Sequence, residues 1–195
     1  MRFDVIIGNP PYQLSDGGSG TGISAKPLYH LFVQQAKKLC PSYLLMIIPS
    51  RWFAGGKGLE DFRIEMLKDK HIEVLVDYPK SRDCFPGVDI AGGVCYFKWN
   101  KSYNGDCTII SRIGELEDSL IRKLDEFPIF IRSNKGLSII RKIKAGGEKS
   151  ISNVVFSRNP FGFVSSERGK KEPFTNAIIL LSSAGKGYVK LDDVK

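Results

Sequence analysis

Residues 9 to 12 of the chain read Asn-Pro-Pro-Tyr and follow directly on the apolar run Val5-Ile6-Ile7 and Gly8. These residue types define a narrow chemistry. Proline fixes φ at about −65° and has no backbone N–H, so two in succession make a stiff loop rich in acceptors and poor in donors. The Asn9 side-chain oxygen and the Pro10 carbonyl are two acceptors, the number an exocyclic amine needs if both its hydrogens are held while its lone pair attacks. Tyr12 adds a flat ring on which a base can stack, worth roughly 1 to 3 kcal/mol per base. The combination suits activation of a planar nitrogen. A proline turn with an aromatic plug is the alternative reading of four such residues, and the strand before them together with the α/β rhythm after them favours a site.

That loop must be carried by something rigid. In an open, mainly parallel α/β sheet, ligands lie outside the carboxyl ends of the strands, and residues 9 to 12 fall where such a strand ends. The rhythm continues with a helix pattern from Leu28 to Leu39, a strand from Leu44 to Ile48, a helix from Leu59 to Lys68, and strands over Ile72–Val76 and Val94–Trp99. Leu28, Leu31, Phe32, Ala36 and Leu39 share one helical face, and Phe62, Met66 and Leu67 another. This order predicts an α/β domain with a mainly parallel sheet over residues 1–104. Residues 105–195 lose the rhythm and read as a separate, less regular α+β module. Its expected pieces are helices over Gly114–Glu126 and Lys135–Ala145, and β segments at Val154–Phe156, Ile178–Leu181 and Gly187–Val189.

At 195 residues the chain is one ordinary domain or one and a half, long enough to bury a core without staples. The longest apolar run, Tyr43 to Ile48, is far shorter than the ~20 residues of a membrane span, and Met1-Arg2-Phe3-Asp4 has no signal-peptide pattern behind it. A cytoplasmic protein without a membrane partner is expected. Cys40, Cys84, Cys95 and Cys107 lie far apart, with no C-x-x-C pair and no His at ligand spacing, so no disulfide framework and no metal site is predicted. His30 and His71 read as exposed or packing residues. The Gly-rich Asp16–Gly22 lacks the lysine of a phosphate loop and reads as a flexible loop over the site. Charge is uneven: residues 1–100 hold 12 Lys and Arg against 10 Asp and Glu, whereas residues 101–195 hold 17 against 11. A basic half fits a nucleic-acid partner, and "RKIK" and "RGKK" supply Arg141, Lys142, Lys144, Arg168, Lys170 and Lys171 as candidate phosphate contacts. Two solvated basic faces are the alternative.

The tetrapeptide resembles that of the N6-adenine DNA methyltransferases of restriction-modification systems, in the branch where the target recognition region follows the catalytic domain. Further likeness lies in "LLMIIPSRWFAGGKGLEDFRIEML", marked by Pro49 and Trp52, and in "CFPGVDIAGGVCYFKW", residues 84 to 99. The resemblance implies a partial Rossmann-like sheet followed by the start of a recognition domain. It implies catalytic roles for Asn9 and Pro10 on the adenine amino group, for Tyr12 stacked on the flipped base, and for Phe85 on its other face. It also implies S-adenosylmethionine as cofactor, bordered by Pro11, Leu28 and Phe32, and double-stranded DNA as partner.

The chain departs from that family in one respect. A complete enzyme of this branch has, before the tetrapeptide, a strand and Gly-rich turn for the cofactor and an acidic residue for its ribose. The short G-x-G of Ser182 to Val189 lacks the strand, helix and acid at the required distances. The resemblance therefore implies a fragment, inactive alone, with a second chain or missing N-terminal part completing the cofactor site and with self-association through the exposed strand of residues 3 to 8. Three readings stay open: a DNA adenine methyltransferase, a non-catalytic DNA-binding remnant or partner subunit, and a methyltransferase acting on RNA or on a protein glutamine amide.

Overall fold

The computed structural model describes residues 3–14, 26–56, 58–147, 162–164 and 166–194. Val154–Phe156 and the Gly-rich Asp16–Gly22 lie outside the described residues. The chain packs as two compact units, Met1–Lys142 and Ile143–Lys195.

The first unit holds strands β1 (Val5–Gly8), β2 (Tyr43–Pro49), β3 (Ile72–Tyr78), β4 (Val94–Asn100), β5 (Cys107–Ile113) and β6 (Leu116–Arg122), with helices α1 (Tyr29–Lys38) and α2 (Glu60–Lys68). A third helix, α3 (Asn134–Ala145), crosses the division between the units. The six strands lie in the order β1-β2-β4-β3-β5-β6. β1 and β2 are parallel, as are β3 and β5, and β4 and β6 run against their neighbours. So β1, β2, β3 and β5 point one way, and the sheet is mainly parallel in strand direction as predicted. The reversal at β4 comes from its connection, because residues 79–93 turn the chain back from β3 and β4 inserts between β2 and β3. Gly93 makes that return possible: with φ at 79°, a Cβ there would fall 2.1 Å from the Tyr78 carbonyl oxygen.

Register decides the core. Leu44 lies opposite Trp99, and Met46, Phe97, Leu75 and Ile109 form one row across four strands. Tyr29, Val33 and Ala36 of α1 and Phe62, Met66 and Leu67 of α2 are buried in the same cluster. Full burial of each large apolar side chain stabilises by roughly 1.5 to 3 kcal/mol. α1 stops at Leu39 because Cys40 takes φ 52° and Pro41 follows. Lys37 then ties α1 to α2, at 3.2 Å from Glu65 and 2.8 Å from Asp69.

β1 is the edge strand, pairing among the described residues with β2 alone. Ile6 packs on the core cluster, while Val5 and Ile7 are 50% and 76% exposed on the opposite face.

Two sequence expectations change here. Gly114–Glu126 is not a helix: Gly114, with φ 57°, opens a two-residue turn, and Leu116–Arg122 pairs with all of β5 as strand β6, followed by a short 3-10 turn at Leu124–Glu126. The charged pattern suits an edge strand with one solvated face, and the β5 ladder overrides local helix propensity. The first compact unit also runs well past residue 104, because β5 pairs parallel with β3 and so extends the same sheet.

The second unit holds an antiparallel hairpin, β7 (Ala177–Ser182) and β8 (Gly185–Lys190), where Ile178–Leu181 and Gly187–Val189 read as β. The G-x-G of Ser182–Val189 thus lies in β8, directly after the hairpin turn at 183–184.

Candidate active site

β1 ends at Gly8 and the parallel β2 ends at Pro49, with Gly8 paired to Met46, so both chains leave the sheet at the same end. Asn9, Pro10, Pro11 and Tyr12 emerge there and line a cavity of about 710 Å³. Pro49 and Arg51 from the end of β2, and Asp89, Ile90 and Ala91 from the loop before β4, also line it. Pro10 is buried, whereas Asn9 and Pro11 are exposed. The loop is pinned to the start of α1, since Leu28 N–H donates to the Tyr12 carbonyl at 3.1 Å and Leu14 N–H to the Lys26 carbonyl at 3.1 Å. A cavity of this size suits one nucleobase with part of a second ligand.

Tyr12 is half-buried and packs against the core cluster, and its hydroxyl has no hydrogen-bond partner among the described residues. Burial, reinforced by Cys84 and Cys95 nearby, pushes its phenol up to about 12. The ring therefore stays neutral at physiological pH and is available for stacking rather than for proton transfer. Tyr29 is buried more deeply at the same cavity, and burial pushes its phenol further up.

One polar network holds both walls. Asp77, at the end of β3 and 1% exposed, takes a two-pronged bond from Arg132, Nε to Oδ2 at 2.8 Å and Nη2 to Oδ1 at 2.7 Å. Ser50 Oγ donates to the same carboxylate at 3.0 Å, and Arg132 Nη1 donates to the Gly92 carbonyl at 2.7 Å. Ser50 lies between the cavity residues Pro49 and Arg51, and Gly92 follows Ala91, so one guanidinium–carboxylate pair fixes the ends of β2 and of the 79–93 loop together. The bidentate geometry supplies direction as well as energy. Phe53 and Phe130, with ring centroids 4.2 Å apart, and the Phe130 N–H to the Phe53 carbonyl at 2.9 Å close the same corner.

Of the residues singled out in the sequence, Asn9, Pro10, Pro11 and Tyr12 share the cavity. Phe85, partly buried, lies four residues before the Asp89–Ala91 wall and is not among the lining residues. Leu28 and Phe32 do not line it either, and Phe32 is 43% exposed on α1. Trp52 is fully buried against Phe53 and Phe62. Arg141 is bound to Glu126 by two bonds, 2.6 and 2.8 Å, and Lys142, Arg168, Lys170 and Lys171 are exposed. Lys144 is on α3. His30 packs against Phe62 and His71 against Trp99, as packing residues. Arg51, Tyr29 and Asp89 were not legible as site residues, although Arg51 stands inside the Pro-x-x-Trp marker and that position was a usable signal.

The resemblance read from the tetrapeptide is borne out. Residues 1–85 match the Eco57I restriction-modification methylase family. An uncharacterized adenine-specific methylase of Mycoplasma pneumoniae is 42% identical over 116 residues, which are 59% of this chain and 28% of the relative. Among solved structures, the type IIG restriction endonuclease BpuSI aligns with a TM-score of 0.48 at 13% identity, over 73% of this chain and 22% of that one. A type I restriction-modification methyltransferase subunit from Streptococcus thermophilus aligns with a TM-score of 0.42 at 15% identity, over 76% of this chain and 33% of that one. The chain thus spans about a third or less of the length of each of these proteins.

Proposed function

We propose that this chain carries the base-binding half of an adenine-specific DNA methyltransferase of a restriction-modification system. The observation behind the reading is that Asn9, Pro10 and Tyr12 converge on one open cavity at the carboxyl ends of parallel strands. The Asn9 amide oxygen and the Pro10 carbonyl accept the two N6 hydrogens of an extruded adenine, and the neutral Tyr12 ring stacks on it. Extrusion costs a few kcal/mol of stacking and pairing, which base contacts in the cavity offset in part. Drawing both hydrogens toward acceptors raises electron density on N6, so positioning and electrostatics suffice without a strong base.

The cofactor this reading implies is S-adenosylmethionine, whose sulfonium supplies an electrophilic methyl group. Of the residues assigned to it, Pro11 faces the cavity and Leu28 and Phe32 do not. The described residues fit the base and only the margin of the cofactor, so we place the remainder of its site on polypeptide outside the described residues, beside the edge of β1 that none of them pairs with. Recognition of duplex DNA we assign to the second unit, Ile143–Lys195, and the protein to the cytoplasm. No helix among the described residues is long and apolar enough to cross a membrane.

The test is a substrate panel. The protein, alone and with what it copurifies with from its native cell, is given methyl-labelled S-adenosylmethionine with duplex DNA, RNA or a glutamine-containing peptide. Label on N6 of DNA adenine supports the reading, and label on RNA or glutamine replaces it. Duplex binding without transfer in every preparation supports a non-catalytic DNA-binding role.

A further inference from the structure

The hairpin of the second unit has two unlike faces. Residues paired across an antiparallel ladder share a face, so Ile178 with Val189 and Leu180 with Gly187 form one of them. That face is closed: Val189 and Gly187 are buried, and the chain at Arg168 crosses so near that a Cβ on Gly187 would sit 1.8 Å from the Arg168 carbonyl oxygen. The opposite face carries Ile179 with Tyr188, Leu181 with Lys186, and Ala177 with Lys190. Lys170 joins it through a bridge to Tyr188, with N–H to carbonyl distances of 2.8 and 2.9 Å in the two directions.

This open face concentrates cations around one aromatic ring. Lys170, Lys186 and Lys190 are exposed, Lys186 lies 5.6 Å from the Tyr188 ring centroid, and no acidic residue occupies either strand. Lys170 rests over Phe174 at 4.7 Å, and none of the three has a carboxylate partner among the described residues. Ile179 and Leu181, at 57% and 77% exposed, supply apolar area beside them. Lys186 and Lys190 stand four residues apart on one strand, roughly 13 Å. A two-stranded ribbon fits a major groove about 12 Å wide, and lysines spaced along its open face reach separate backbone phosphates.

We propose that this ribbon face is a duplex DNA contact surface, with Lys170, Lys186 and Lys190 on backbone phosphates and Tyr188, Ile179 and Leu181 turned toward the groove. It rests on the reading of this chain as a DNA-acting protein and assigns part of its recognition to Lys186, Tyr188 and Lys190, which no charge run singles out. Uncommitted lysines favour phosphate over an uncharged protein partner, and neutralising phosphates gives binding a measurable salt dependence.

The test is equilibrium binding of the full chain to a mixed-sequence duplex across a salt series. In Lys170→Gln/Lys186→Gln/Lys190→Gln the slope of log K against log salt should fall by about 2.7, near 0.9 per lost contact. The control Lys38→Gln/Lys68→Gln/Lys101→Gln, exposed lysines of the first unit, should keep the wild-type slope. Single Lys186→Gln, with an expected loss of about 0.9, serves if the triple variant is misfolded by circular dichroism. An unchanged slope in the ribbon variants, or an equal loss in the control, overturns the ribbon surface while leaving the methyltransferase reading intact. A wild-type chain that binds anionic vesicles or an acidic protein but not duplex overturns the ribbon surface and the DNA reading together.

Discussion

In the unit Met1–Lys142, the side chains of Trp52, Phe62 and Phe97 are shut away from solvent and interlock across a sheet and two helices. In Ile143–Lys195, by contrast, Val189 is the one buried hydrophobic among the described residues, and Ile179 and Leu181 stand in water. The difference follows from what each has to do under the proposed function. A cavity that holds a base within hydrogen-bond tolerance has to sit on side chains with little freedom, and the Asp77–Arg132 pair beneath it adds direction to that packing. A surface that tracks a phosphate backbone needs accessible cations more than it needs a core.

The largest effect expected from breaking this contrast is on the first unit. Arg132→Ala leaves the Asp77 carboxylate 1% exposed and without its cation, a change that costs about 3 to 5 kcal/mol for a buried pair broken on one side. Chemical denaturation should register it, and adding Asp77→Asn should recover part of the loss. Trp52→Ala removes a fully buried ring and should cost about 3 to 5 kcal/mol, whereas Val189→Ala in the second unit should cost about 1.5 kcal/mol. Equal losses in the two units would erase the contrast.

A smaller effect is expected at the sheet edge. Ile7→Lys places a charge on an exposed apolar strand that pairs on one side only among the described residues, and sedimentation should show less self-association than wild type. A wild-type chain that is monomeric at all concentrations would leave β1 without that liability.

The smallest effect is on pH dependence. Tyr12, Cys95 and Cys107 are all pushed up to about 12, from ordinary values of 10 for the phenol and 9 for the thiols, burial being the largest cause in each. Their neutral forms are favoured in the folded state, so the stabilisation is complete below about pH 9 and declines as pH rises toward 12, where the unfolded chain ionises first. Thermal unfolding should show a midpoint falling above pH 9, with a shallower fall in Cys95→Ala.

Much of the first unit was legible in the sequence because its signals were local. The strand before Asn9, the amphipathic spacing of α1 and α2, and the apolar runs of β2, β3 and β4 each report their own element. Strand order did not show: nothing in Val94–Asn100 reveals that it inserts between β2 and β3, since that depends on the path of residues 79–93. Leu116–Arg122 read as helix because its polar residues resemble a solvated helical face, and only the partner strand β5 makes it β. At the site, the tetrapeptide was legible as a motif, whereas Arg51, Asp89 and the Arg132 clamp arise from contacts 40 to 80 residues apart and carry no local signature.

The central claim is that Asn9 and its neighbours hold the amine that reacts. It is tested most directly by methyl transfer to DNA adenine in Asn9→Ala, made in the completed enzyme whose wild-type form transfers the methyl group, with duplex affinity measured on the same preparation. Transfer should fall by about 100-fold or more, on the scale of losing one preorganised hydrogen-bonding group, with duplex affinity little changed because phosphate contacts dominate it. Wild-type turnover in Asn9→Ala would contradict it.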